Sequence, residues 1–210
     1  MRRCVIFAAG PMEAPERLRT MWHSEPDDLI IAADGGLRNA KLLGVTPEIV
    51  LGDMDSLDKA EIPPEAKVYP VRKDDTDTML AIKTGIEEGC EEFLLFGALG
   101  GRLDHTYANI QALAYLLDHD CSGTLLDGGH LCTMVRDGSI ALDTEFKHLS
   151  VFSYSDRCEG VSESGVGYTL DGAELTSSFP LGVSNYQLPN ERAVITVDRG
   201  TLLLILSDHI

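Results

Sequence analysis

Strand-length apolar runs recur through the first two-thirds of this chain, each separated from the next by a stretch with helical spacing. Residues 3–9, 28–33, 48–51, 67–71, 92–96 and 123–126 read as strands. Residues 15–22, a segment through Leu37, Ala40 and Leu43, residues 76–88 and residues 104–117 read as helices, with Gly44 and Gly89 as stops. The strand runs are nearly continuous rather than alternating, as strands buried on both faces require. Such β-α alternation predicts a mostly parallel sheet covered by helices on both sides, an α/β unit of three layers. The pattern changes at Asp137-Gly138. Beyond it come short runs at 139–142, 149–154, 168–170, 193–197 and 201–206, with no helical period. Asp171-Gly172 and Arg199-Gly200 read as hairpin turns, so a small antiparallel β domain is expected. The boundaries that follow are 1–136 and 137–210, with no low-complexity linker between them.

Charge narrows the partners. The chain of 210 residues carries a net charge of −17. A nucleic acid or an anionic membrane needs a basic surface, so both are excluded as partners. A polyanionic small substrate would need a metal and a few local cations, whereas a cationic substrate would be attracted. The five cysteines are scattered, with no C-x-x-C pair. They read as reduced thiols of a cytosolic protein rather than a disulfide framework or a zinc site. The opening residues have the charge order of a signal peptide, but their apolar run is short and fits a buried strand. No run reaches the roughly 18 apolar residues of a membrane span, which predicts a soluble protein.

Ligands of open α/β sheets bind beyond the carboxyl ends of the strands, and the polar clusters of this chain fall there. After the second strand comes Asp34-Gly35-Gly36, whose glycines would let a helix N-terminus approach an anion. After the third comes Gly52-Asp53-Met54-Asp55-Ser56. Side chains two apart in extended backbone share a face, so Asp53 and Asp55 would aim at one point and repel unless a cation lies between them. Hard oxygen ligands suit Mg²⁺ together with substrate phosphates, although Gly, Asp and Ser are also ordinary turn formers.

After the fourth strand comes Lys73-Asp74-Asp75-Thr76-Asp77. Capping by Asp or Thr would explain one of these side chains, but not three acids. Asp74 and Asp77 would share a helical face, and Lys73 beside them could hold a phosphate oxygen. After the fifth strand, Gly97 to His105 matches neither a Walker A loop nor a dinucleotide fingerprint. Gly100 and Gly101 still offer backbone N–H groups to an anion, and Arg102 offers a planar fork for phosphate. Asp104 could cap the following helix, His105 fits a structural or a catalytic role, and Asn109 lies about one turn further on. Gly182-Val183-Ser184-Asn185-Tyr186 is a polar, aromatic-tipped loop that a plain turn would also explain.

Taken in order, Ala33-Asp34-Gly35-Gly36, Gly52-Asp53-Met54-Asp55-Ser56, Lys73-Asp74-x-Thr76-Asp77, Gly97-x-x-Gly100-Gly101-Arg102-x-Asp104-His105 and Gly182-Val183-Ser184-Asn185 resemble the thiamine pyrophosphokinase family along nearly the whole chain. The resemblance implies an N-terminal α/β nucleotide-binding catalytic domain and a C-terminal β-sandwich that binds thiamine and dimerises. It implies a homodimer with active sites between subunits. The implied reaction is Mg²⁺-dependent transfer of pyrophosphate from ATP to the thiamine hydroxyl, leaving AMP. Asp53, Asp55 and Asp77 would gather Mg²⁺ around the triphosphate. Lys73 and Arg102 would neutralise charge on the bridging oxygens, and Asp77 or Asp104 would take the hydroxyl proton. Asp34, Gly35, Gly36, Asp74, Thr76, Gly100, Gly101, His105 and Asn109 would complete the nucleotide site, with Ser184 and Asn185 on the thiamine side. No role attaches to Met54 or Asp75.

Two other readings fit parts of the pattern. Asp53-Met54-Asp55-Ser56 resembles the nucleophile motif of haloacid dehalogenase-type phosphatases, which normally follows the first strand and not the third. Another Mg²⁺-dependent phosphotransferase or phosphohydrolase would share these acids. A non-enzymatic nucleotide or thiamine sensor would bind without turnover.

Overall fold

The structure is a computed structural model and describes residues 2–52, 62–64, 67–69, 75–142 and 146–208. It divides into two compact units, Met1–Gly128 and Gly129–Ile210.

The first unit runs β1 (Arg3–Phe7), α1 (Pro15–Met21), β2 (Leu29–Ala33), α2 (Gly36–Leu43), β3 (Ile49–Leu51), β4 (Lys67–Tyr69), α3 (Asp77–Glu87), β5 (Glu92–Phe96), α4 (Leu103–Leu117) and β6 (Ser122–Leu126). Its strands lie in the order β6-β5-β1-β2-β3-β4, and every pairing is parallel. The chain builds outward from β1 through β2 and β3 to β4, then returns to the other side of β1 with β5. That reversal makes the β1/β5 boundary a topological switch point.

Both faces of this sheet are covered. A Cβ on Gly85 of α3 would lie 2.8 Å from Cys4 Sγ and 2.6 Å from Phe93 Cε1, so only glycine lets α3 approach there. Phe7 and Phe96 stand three residues beyond Cys4 and Phe93, and so point to the opposite face. There the Phe7 and Phe96 rings stack with centroids 5.2 Å apart, and Trp22 closes on them at 6.2 and 5.0 Å. Aromatic contacts of this kind add about 0.5–1.5 kcal/mol each beyond the area they bury. At the amino ends of the strands, Arg3 donates to both oxygens of the buried Asp28 carboxylate at 2.8 and 2.7 Å. This two-point contact fixes the register of β1 on β2.

The second unit contains β7 (His130–Arg136), β8 (Ser139–Leu142), β9 (His148–Ser153), β10 (Arg157–Ser164), β11 (Leu170–Thr176), β12 (Gly182–Asn185), β13 (Ala193–Thr196) and β14 (Thr201–Ser207). They form two antiparallel stacks, β12-β9-β14-β7 and β11-β10-β13-β8. The inner faces meet at Cys158, whose Sγ lies 3.1 Å from Ser153 Oγ and 3.2 Å from the Thr201 carbonyl oxygen.

The chain divides after Gly128, and β7 pairs with β14 along its whole length. Three expectations change here. Asp171-Gly172 is not a hairpin turn. Gly172, with φ +62, lies within β11 beside a register shift and donates its N–H to Ser162 Oγ at 2.9 Å, the mark of a bulge. Arg199-Gly200 joins β13 to β14, which belong to different sheets, so it is a crossing and not a hairpin. β7, β10 and β12 lie where no strand was expected.

Candidate active site

A cavity of about 530 Å³ opens beyond the carboxyl ends of the parallel strands. Its walls come from the ends of β1, β2 and β5 and from the first turns of α3 and α4. The switch point between β1 and β5 therefore forms its floor.

Backbone contacts define that floor. The Gly10 N–H donates to the Gly97 carbonyl oxygen at 2.9 Å, and Ala8 N–H donates to the Phe96 carbonyl oxygen at 2.8 Å. Asn39, 8 % exposed in the middle of α2, donates its amide to the carbonyl oxygens of Ala8 at 2.7 Å and Gly10 at 2.9 Å. Gly97 has φ +63, and a Cβ there would lie 2.4 Å from the Ala8 oxygen and 2.5 Å from Asn39 Nδ2. Two loops and α2 thus meet with no room for a side chain.

The acids stand around this floor. Asp34 lines the cavity in a left-handed conformation, φ +50, with its N–H donated to the Leu51 carbonyl oxygen at 2.6 Å. A non-glycine residue held there carries strain that functional sites often store. Gly52, at the end of β3, lies against Asp34: a Cβ on it would be 3.3 Å from the Asp34 Cα. Asp53 and Asp55 come next in the chain but lie outside the described residues, as do Lys73 and Asp74.

Thr76 caps α3 by accepting the Met79 N–H at 3.2 Å. That bond satisfies one of the four N–H groups a helix start leaves open. Asp77, the first residue of the helix, lines the cavity. Asp75 lines it too, with both carboxylate oxygens 2.7 Å from Lys83 Nζ.

On the β5 side, Gly100, Arg102, His105 and Asn109 line the cavity. Arg102 donates to both oxygens of Asp104, at 3.1 and 2.5 Å. Hydrogen bonding from Arg102 holds the Asp104 carboxyl below the usual carboxylate range, and Asp104 raises the Arg102 guanidinium in turn. Asp104 itself does not line the cavity, and it takes the His105 N–H at 3.0 Å. Asn109 donates to the Ala98 carbonyl oxygen at 2.7 Å and so braces the loop.

Gly35, Gly36 and Gly101 stand behind this wall. A Cβ on Gly36 would lie 1.8 Å from the Phe7 carbonyl oxygen, and one on Gly35 would lie 3.2 Å from Ala9 Cβ. These two glycines let α2 seat on the end of β1. A Cβ on Gly101 would lie 3.2 Å from Pro11 Cδ. In the second unit, Ser184 is exposed with φ +63, while Asn185 is 5 % exposed. Sequence reasoning passed over Asn39 and the end of β1. Their signal was a polar residue between Leu37 and Ala40, at a position of α2 that the helix buries.

The fold and cavity define a class: a parallel α/β unit with an acid-rimmed cleft at its switch point, followed in the same chain by an antiparallel sandwich unit. The family model described as "Thiamin pyrophosphokinase, catalytic domain" matches residues 18–125, and "Thiamin pyrophosphokinase, vitamin B1 binding domain" matches residues 139–202. The chain belongs to the thiamine pyrophosphokinase family. It is similar to the thiamine pyrophosphokinase of Bacillus subtilis, with 27 % identity over 215 residues and 99 % of each chain covered. The crystal structure of that protein superposes with a TM-score of 0.89, covering 99 % of this chain and 100 % of that one. The thiamin pyrophosphokinase structure from Geobacillus thermodenitrificans shares the fold with a TM-score of 0.85 at 24 % identity, covering 99 % of this chain and 98 % of that one.

Proposed function

We propose that this protein is a thiamine pyrophosphokinase that transfers a pyrophosphoryl group from ATP to the hydroxyl of thiamine, giving thiamine pyrophosphate and AMP in a Mg²⁺-dependent reaction. The observation that carries this reading is the cleft beyond β1 and β5, rimmed by Asp34, Asp77 and Arg102, in a chain matched by the family in both units.

The acids lining the described part of the cleft are hard oxygen donors, and no cysteine lines it, which suits Mg²⁺. Asp53, Asp55 and Asp77 would hold the ion, which would neutralise and order the triphosphate oxygens when bound. The chain itself has to position the nucleotide and receive a proton. The N–H groups of the glycine-rich loop after β5, with Thr76, His105 and Asn109 on the same cleft, cradle the nucleotide, and Asp74 is assigned to the same role. Lys73 and Arg102 offset charge on the phosphate bridge as it breaks.

The thiamine oxygen bonds to the β-phosphorus, the bond from that phosphorus to the oxygen bridging the α-phosphate breaks, and AMP leaves with that electron pair. The hydroxyl proton passes to an aspartate. Asp77 is the better candidate, because it lines the cleft whereas Asp104 lies outside it with its basicity lowered by the hydrogen bond from Arg102. Ser184 is assigned to the thiamine side. We further propose a cytoplasmic homodimer, in which this loop of one copy serves the cleft of another. Among the described residues no helix is long and apolar enough to cross a membrane.

Incubation with ATP, Mg²⁺ and thiamine, with products resolved by mass spectrometry, tests the reading. AMP and thiamine pyrophosphate should appear in equal amounts and vanish with EDTA. ADP with thiamine monophosphate, or phosphate release without an acceptor, would overturn it.

A further inference from the structure

Glu163 in β10 is 2 % exposed, and its Oε1 has no hydrogen-bond partner among the described residues although it is shut away from solvent. Its Oε2 accepts from Asn185 Nδ2 at 2.8 Å. The same Nδ2 donates to the Tyr168 carbonyl oxygen at 2.7 Å, and Asn185 Oδ1 accepts the N–H groups of Tyr168 and Tyr186, both at 2.9 Å. A carboxamide has two donor hydrogens and two lone pairs. All four are spent within the protein, so the Asn185 side chain has nothing left for a ligand.

Those bonds lock two segments together. Gly167 N–H donates to the Tyr186 carbonyl oxygen and Leu188 N–H to the Gly165 carbonyl oxygen, each at 2.9 Å. A Cβ on Gly167 would lie 2.2 Å from Tyr186 Cζ, so the ring is seated on bare backbone. The locked segment includes Ser184, whose left-handed backbone at φ +63 is held by an N–H donated to Ser150 Oγ at 3.1 Å. A half-satisfied buried carboxyl is costly to keep. What it provides here is an acceptor for the second Asn185 hydrogen.

We propose that Glu163 is a positioning residue for the acceptor subsite, acting through Asn185 to hold Gly182–Asn185 and Tyr186 in the conformation that leaves Ser184 exposed. The proposal rests on the assignment of Ser184 to the thiamine side.

Steady-state kinetics on four variants test it. Glu163→Leu should raise the KM for thiamine about ten-fold while kcat and the KM for ATP stay within about two-fold. Glu163→Gln should restore the wild-type KM, because its carboxamide oxygen can accept the same hydrogen. Amide exchange at Tyr168 and Tyr186 should quicken in Glu163→Leu and not in Glu163→Gln. A thiamine KM unmoved in Glu163→Leu, or equal rises for both substrates, would overturn the proposal even if the melting temperature falls.

Should Glu163→Leu fail to fold, Asn185→Asp sets two acceptors against each other and must raise the thiamine KM. The double variant with Glu163→Gln returns a donor to the Glu163 contact while the Tyr168 carbonyl oxygen stays unpaired, so it must lower the thiamine KM below that of Asn185→Asp alone, and no such fall would equally overturn the proposal. A wild-type protein inactive on thiamine would remove the functional reading and this proposal with it. An active wild type with an unmoved variant removes the proposal alone.

Discussion

The side-chain amide of Asn39 lies 2.7 Å from the carbonyl oxygen of Ala8, and this contact ties a helix to the floor of the cleft. Its second bond, to the Gly10 carbonyl oxygen at 2.9 Å, makes one buried side chain the clamp for the whole turn after β1. Asn39→Ala leaves two carbonyl groups short of a donor. It should cost about 1–3 kcal/mol of stability. It should also raise the KM for ATP, because the turn it frees lines the cleft proposed to take the nucleotide. Urea unfolding and nucleotide titration check both; a stable variant with unchanged KM would deny the clamp.

Gly36→Ala should be far more damaging than a typical surface glycine substitution. Its Cβ would sit 1.8 Å from the Phe7 carbonyl oxygen, a contact that only movement of α2 away from β1 can relieve. The expected cost is about 3 kcal/mol or more. Gly44→Ala serves as the contrast, since nothing lies within 4 Å of a Cβ there and only its φ of +76 opposes the change. Thermal melts of the two should differ widely.

Thr76 and Asp77 are neighbours with separable roles. Thr76→Ala removes the cap on α3 and should cost about 1 kcal/mol of stability, with a modest effect on turnover. Asp77→Asn leaves the cap in place and should lower kcat by roughly 10²–10⁴-fold. An Asp77→Asn protein with full Mg²⁺-dependent turnover would remove Asp77 from both the metal and the proton step.

The Arg102–Asp104 pair makes a prediction about pH. Arg102 depresses the Asp104 carboxyl, so this aspartate stays ionised through the neutral range. If Asp77 is the base, Asp104→Asn should leave the acid limb of the pH–rate profile where it was. Arg102→Ala should raise the KM for ATP by about ten-fold or more through loss of a charge-assisted phosphate contact. Movement of the acid limb in Asp104→Asn would return the proton step to Asp104.

Glu163 predicts a stability that falls as pH rises. Desolvation raises its carboxyl above the usual range, and the hydrogen bond from Asn185 only partly opposes this. The folded state then binds more protons than the unfolded chain between the unfolded and folded values, so stability falls as pH rises through that window. The loss is complete above the folded value. Glu163→Gln should flatten this slope and be the more stable protein at pH 8, as read from melts across pH.

Much of the fold was legible because burial leaves a periodic trace. Continuous apolar runs marked β1, β2, β3 and β5, and Gly44 and Thr76 marked helix ends through backbone chemistry that needs no distant partner. The second unit was read less well. The β10 sequence Arg-Cys-Glu-Gly-Val-Ser-Glu-Ser carries a charge at one position the sheet buries, Glu163, and a hydrogen bond from Asn185 is what receives it there. Asp171-Gly172 has the composition of a hairpin turn, yet its strand continues through a bulge because β10 supplies Ser162 to receive the glycine N–H.

The sequence by itself determined that acids, glycines and cations would follow strand ends, because strand length and turn chemistry are local properties. Only the tertiary structure decided which of them share a wall. Asp34, Asp77 and Arg102 line one cleft because β5 returns beside β1 and reverses the winding of the sheet. Gly36 and Asn39 proved to shape that cleft from behind, and Asn185 to be occupied within its own unit. Such roles depend on which backbone arrives opposite a side chain, and that is settled by long-range packing that no local pattern encodes.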